Sequence, residues 1–186
     1  GECTGEKILG VGISLPGIVD SEAGILRYSH ILDLRDVPLS LLSRHIPFPC
    51  RFINDANAAG FAEIYGTSTA GDLIYLSLSN SVGGAILTDG SLYMGGHLRA
   101  GEFGHNTLVP GGRKCYCGKE GCLDAYCSAR LLSGQADGNL AAFFDGLREG
   151  DPAKQAVWRE YLEYLAEYIQ DYQELYAVAG ERAAVF

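Results

Sequence analysis

Between His105 and Cys122 the chain reads His-x9-Cys-x-Cys-x4-Cys, with thiols at 115, 117 and 122. A chain that brings three thiols and an imidazole together so closely must wrap a tight loop around one point. Such a donor set suits a tetrahedral ion, and closed structural sites of this make-up usually hold Zn²⁺. Gly111, Gly112, Gly118 and Gly121 lie between the ligands, where the loop has to turn sharply. The remaining cysteines, Cys3, Cys50 and Cys127, stand apart and read as ordinary thiols. Six cysteines in 186 residues are too few for a disulfide scaffold, and the first residues, Gly1-Glu2-Cys3-Thr4, do not form a signal peptide. Clustered thiols in a reducing cytoplasm favour metal over disulfide.

Fourteen basic and 23 acidic side chains give a net charge of −9. Phosphate neutralisation needs a basic face, so this segment is not expected to bind nucleic acid. No apolar run reaches membrane-spanning length. The chain lacks an initial Met, and its last residues, Ala183-Ala184-Val185-Phe186, read like a strand just beginning. The expectation is a piece of a longer protein, incomplete at both ends.

Residues 8–14 alternate apolar side chains with Gly and predict a buried strand. Ile18-Val19-Asp20 and Ile25-Leu26-Arg27 flank a turn and predict a hairpin. A short helix follows over 39–45, then a strand at 51–53, then an Ala-rich helix over 56–65 with Gly66 as its cap. Strands are expected at 73–79 and 84–88, joined by 80–83, and Asp89-Gly90 turns the chain back into 91–93. Polar residues 134–139 read as a linker or mobile loop. Asp151-Pro152 is a strong helix start. Beyond it Trp158, Leu162, Leu165, Ile169, Tyr172 and Tyr176 form one apolar stripe, broadened by Tyr161, Tyr164 and Tyr168. Strands and helices with both hairpins and crossovers make the class α/β or α+β.

Two further groups could carry chemistry. Asn54 and Asp55 stand between a strand and a helix N-terminus, where α/β sheets bind ligands. The carboxylate could accept a proton there, or the pair could simply cap the helix. Glu102 lies three residues before His105, and Asp124 two after Cys122; these could face a ligand or support the metal. Residues 79–85, Ser-Asn-Ser-Val-Gly-Gly-Ala, could cradle phosphate or form an ordinary hairpin.

Four segments resemble the ROK family of bacterial sugar kinases and sugar-responsive repressors. They are LPGIVD at 15–20, NDANAAGFAE at 54–63, AGEFGH at 100–105 and CYCGKEGCLDAY at 115–126. The resemblance implies an actin-like (RNase H-like) α/β fold of two lobes, with residues 1–66 in the N-terminal lobe and 67–186 in the C-terminal one. The zinc loop spans 105–122 in the second lobe. It implies that Asp55 matches a kinase general base, that Asn54, Asp55, Glu102, His105 and Asp124 handle a sugar or sugar phosphate, and that His105, Cys115, Cys117 and Cys122 hold structural zinc. Asp124 stands where the family usually has Glu.

The phosphate loop departs further. Family kinases usually read Leu-Gly-Thr-Gly-Ile-Gly-Gly-Gly where this chain has Leu78-Ser79-Asn80-Ser81-Val82-Gly83-Gly84-Ala85. Its remaining elements, Asn80, Ser81, Gly83 and Gly84, form a degenerate loop like that of the repressor branch. The family's Asp-x-Gly-Gly-Thr motif, or a repressor's winged helix-turn-helix, would lie upstream of Gly1. A C-terminal Gly-Gly segment near the nucleotide would lie beyond Phe186. The favoured expectation is a non-enzymatic, homo-oligomeric, cytoplasmic regulator that reaches DNA through a separate N-terminal domain. The alternative is a kinase using Mg-ATP on a hexose or N-acetylhexosamine.

Overall fold

Short runs of β-branched and apolar residues, broken by Gly and Pro, can bury themselves only by pairing with one another. The computed structural model describes residues 7–66 and 72–178, with side chains up to residue 173. Cys3, the terminal segment 183–186 and the Tyr176 side chain lie outside these. The chain forms two compact units, one of Gly1–Leu76 with Gly84–Glu102 and one of Ser77–Gly83 with Phe103–Phe186.

In the first unit, β1 (Val11–Leu15) pairs in parallel with β5 (Cys50–Asn54), Val11 facing Cys50 and Leu15 facing Asn54. Parallel neighbours need a crossover. Here it is a meander of β2 (Ile18–Asp20), β3 (Ile25–Ser29) and β4 (Leu34–Pro38), followed by α1 (Leu39–Leu42). Val19, Leu26 and Leu39 form its buried centre, with Leu15, Leu34, Val37 and Phe52 packed around them. The hairpin at 18–27 is as expected, whereas β4 was not legible because Arg35 and Asp36 interrupt its apolar pattern.

α2 (Asp55–Gly66) follows β5 directly. β6 (Leu73–Leu78), β7 (Val82–Thr88) and β8 (Ser91–Leu92) make a three-stranded sheet in that order. A Cβ on Gly60 would stand 2.7 Å from the Ala85 Cβ, so the helix and β7 approach as closely as they do only because both residues are small. β7 begins at Val82, two residues earlier than expected, and the connection shrinks to Ser79–Ser81.

The second unit is mostly helical. It contains η1 (Phe103–His105), α3 (Asp124–Cys127), α4 (Ala129–Gly134), α5 (Leu140–Arg148) and α6 (Pro152–Val178). The three short helices after the metal loop were not expected from sequence, being too short to show a periodic face. Each of the last three helices has a side-chain cap. Ser128 accepts from Leu131 N at 3.4 Å, Asn139 from Ala142 N at 3.1 Å, and Asp151 from Ala153 N at 2.9 Å. Residues 134–139 are not a linker: Ala136 N and Gly138 N both donate to Ser133 O at 2.9 Å, closing a turn. Phe143 is fully buried, and Phe144, Trp158 and Tyr161 continue an aromatic row beside it, Trp158 stacking on Tyr161 at 5.2 Å. The buried face of α6 centres on Tyr161 and Tyr168, while Leu162, expected in the stripe, is 44% exposed. The wide tyrosines cover more apolar area than the leucine, and the helix rotates to bury them.

Candidate metal centre

His105 closes η1, and the strand-like bridges Thr107–Cys122 and Lys114–Glu120 fold the loop back on itself. Cys115 N donates to Lys119 O at 2.8 Å, Gly118 N to Cys115 O at 3.0 Å and Leu108 N to Gly121 O at 2.7 Å. Gly111, Gly118 and Gly121 take positive φ as the turns require; Gly112 does not. Gly104 has a steric reason instead: a Cβ there would overlap the Val82 carbonyl, so only glycine lets the two backbones approach this closely. Further anchors fix the loop. Lys119 Nζ donates to His105 O at 2.7 Å, Asn106 Nδ2 reaches the hydroxyls of Tyr168 and Tyr172 at 2.9 Å, and Arg113 N donates to the Tyr126 hydroxyl at 2.8 Å.

The four expected ligands converge. One donor atom from each of His105, Cys115, Cys117 and Cys122 lies within 4.8 Å of all the others. His105 Nδ1 is 3.7 Å from Cys115 Sγ, and Cys117 Sγ is 3.7 Å from Cys122 Sγ. A tetrahedron with zinc-like bond lengths has edges of about 3.8 Å between sulfurs and about 3.6 Å from sulfur to nitrogen. These two edges therefore fit such an ion.

The protonation of the thiols fits as well. Burial pushes Cys115 up to about 12 and, with the neighbouring Cys117, raises Cys122. Burial also opposes ionisation of Cys117, but the Lys119 N–H, the other two thiols and the Lys119 charge outweigh it and lower its pKa. The cluster thus tolerates one thiolate readily and resists more. A cation at its centre would supply the charge that two further thiolates need. The lone thiols behave as expected. Cys50 is half-buried, its Sγ 3.4 Å from Phe48 O; Cys127 is fully buried, and burial followed by the Asp124 charge pushes it up to about 12.

Asp124 is only 1% exposed. Its Oδ1 accepts from Val82 N at 2.6 Å and Ser81 Oγ at 2.7 Å, and its Oδ2 from Arg130 at 3.0 Å. The carboxylate expected at a ligand therefore faces inward, and both oxygens already hold donors. Its short side chain, rooted at the start of α3, keeps it beneath the 79–82 segment. Tyr116, between two cysteines, was not singled out in sequence. Its hydroxyl stands 3.3 Å from His105 Nε2 and 2.7 Å from Ser81 Oγ, and the Arg130 guanidinium lies over its ring at 4.7 Å. A polar aromatic inside a Cys-x-Cys pair is the signal that could have revealed it. None of Ser79–Ala85 has positive φ, and Gly83 and Gly84 lie within β7.

In the first unit, Asn54 caps α2 by accepting from Asn57 N at 2.9 Å, so Asp55 is not needed for that task. Asn54 Nδ2 also donates to Gly17 O at 3.0 Å and to Asp55 Oδ1 at 3.1 Å. Asp55 is exposed, and Oδ1 is the oxygen that takes these bonds, including one from Ala56 N at 3.0 Å. Glu102 is exposed at the end of the same unit.

Comparison with known proteins places this arrangement in context. The DNA-binding transcriptional repressor Mlc of Escherichia coli is 33% identical over 151 residues, 79% of this chain and 37% of Mlc. An N-acetylmannosamine kinase of Escherichia fergusonii is 32% identical over 169 residues, 87% of this chain and 58% of the kinase. A ROK family glucokinase from Streptomyces griseus, solved with glucose and AMPPNP, superposes with a TM-score of 0.76 at 28% identity, covering 92% of this chain and 63% of that one. The chain spans less than two thirds of the length of these relatives. Repressors and kinases alike share its α/β fold. Residues 2–179 match the family model described as ROK family, and the chain belongs to that family.

Proposed function

We propose that the chain is the sugar-sensing effector part of a ROK-type transcriptional regulator, binding a sugar or sugar phosphate without turnover. The observation that carries the reading is the state of the 79–82 segment. A phosphate cradle needs backbone N–H groups turned toward the ligand and room for close approach. Here the Val82 N–H is spent on the buried Asp124, and the Ser81 hydroxyl on Asp124 and Tyr116. The sugar-handling residues, assigned by motif, are Asn54, Asp55, Glu102 and His105, and the ion is structural zinc. The division into lobes at 1–66 and 67–186, a cytoplasmic homo-oligomer, and a DNA-binding domain N-terminal to this segment belong to the same proposal.

One observation favours a second reading. Asp55 is exposed at the carboxyl end of β5, released from capping by Asn54. A carboxylate so placed suits a general base in an ATP-dependent sugar kinase. The two readings part in one experiment on the full-length protein. Calorimetry with common hexoses and N-acetylhexosamines should detect binding, while phosphorylation with Mg-ATP should stay far below ordinary enzyme turnover of about 1 s⁻¹. Turnover at or above that rate, abolished by Asp55→Ala, would establish the kinase and overturn the regulator.

A further inference from the structure

His105, Tyr116, Ser81 and Asp124 line up in one direction. A ring nitrogen that ligates a metal carries no proton, so with His105 Nδ1 turned to the cysteines the proton belongs on Nε2. Nε2–H then donates to the Tyr116 hydroxyl, 3.3 Å away. Asp124 is an acceptor when ionised, so Ser81 must spend its only proton on Oδ1 at 2.7 Å. The Tyr116 proton is then the one that fills the 2.7 Å gap to Ser81 Oγ. Every proton in the row is thereby assigned, running from the metal cluster to a buried carboxylate. That same carboxylate oxygen holds the first N–H of β7, at Val82.

We propose that Tyr116, Ser81 and Asp124 are positioning residues that couple metal binding at His105 to the conformation of the 79–82 segment. With the ion bound, the Nε2 proton is fixed and the row is polarised in one sense, each hydrogen bond strengthening the next. Without it, either nitrogen of His105 can carry the proton, and the row loses its defined start. The proposal concerns the sugar-free chain: a sugar bound at His105, as the proposed function has it, would compete with Tyr116 for the Nε2 proton.

A double-mutant cycle on zinc affinity tests it, using the zinc-loaded full chain and a chromophoric chelator as competitor. Tyr116→Phe keeps the ring against His105 and Arg130 and removes only the hydroxyl. It should weaken zinc binding by about 10-fold or more, the usual effect of losing a partner of a ligating His. Ser81→Ala, one bond further away, should weaken it by about threefold in the wild-type background and leave it unchanged in the Tyr116→Phe background. Ser81→Thr, which keeps the hydroxyl, should restore wild-type affinity. Amide exchange read on the loaded protein should rise at Val82 in Tyr116→Phe, although Tyr116 does not touch that amide. The proposal is overturned if Ser81→Ala stays within twofold of wild type, if it loses the same factor in both backgrounds, or if Val82 exchange is unmoved by Tyr116→Phe.

Discussion

Replacing Asp124 by Ala isolates the contribution of the buried carboxylate to stability. Three donors lose their acceptor. The Val82 N–H is buried in β7 and cannot be reached by water without opening the strand, so leaving it unpaired costs about 1–3 kcal/mol. The Ser81 hydroxyl is only half-buried and can turn to Tyr116 or to solvent. Arg130 has a side chain that is 52% exposed, so water replaces its partner and its share is at most a few tenths of a kcal/mol. The sum is about 1–3 kcal/mol, dominated by one amide. For a chain of this size that lowers the melting temperature by about 2–12 °C. Asp124→Asn keeps an acceptor for Val82 and should lose less than half as much. Urea unfolding followed by circular dichroism measures both. If Asp124→Ala falls within 0.5 kcal/mol (roughly the scatter of surface substitutions), or Asp124→Asn equals it, the assignment of the cost to the Val82 amide is wrong.

Purified protein that has never met chelator should carry about one zinc per chain by elemental analysis, and Cys115→Ser should lose the metal and destabilise the second unit; metal-free wild-type protein would remove the site. Zinc affinity should fall steeply in acid. Cys115 and Cys122 are raised and hold their protons in the metal-free cluster, so binding must displace at least two protons and the affinity should drop by about 100-fold or more for each pH unit lowered. A flat competition profile between pH 8 and about pH 6, the neutral range where structural zinc sites are ordinarily assayed, would show that the thiols are already ionised. Phe143→Ala, at a position with no exposed surface, should cost about 3–5 kcal/mol in urea unfolding; a loss below 1 kcal/mol would mean the aromatic row is not the core of the helical unit.

Spacing alone marked out the four candidate metal ligands, which the fold brings together. Four donors within one short loop have few ways to avoid meeting, and the glycines between them only ease the turns. Asn54-Asp55 at a strand–helix junction and Asp151-Pro152 at a helix start were legible for the same reason, since the chemistry of a junction is local. Strand β4 and the helices α3 to α5 were not, because each is too short or too interrupted to display a period. The face of α6 was legible as apolar, but whether Leu162 or Tyr161 points inward depends on what packs against it. Tertiary structure alone decided the fate of Asp124. In sequence it is a carboxylate after a cysteine, ready to face a ligand. In the fold, Ser81 and the Val82 amide, more than forty residues away, come within reach of its oxygens. A buried amide must find an acceptor, and this carboxylate is the one the fold supplies.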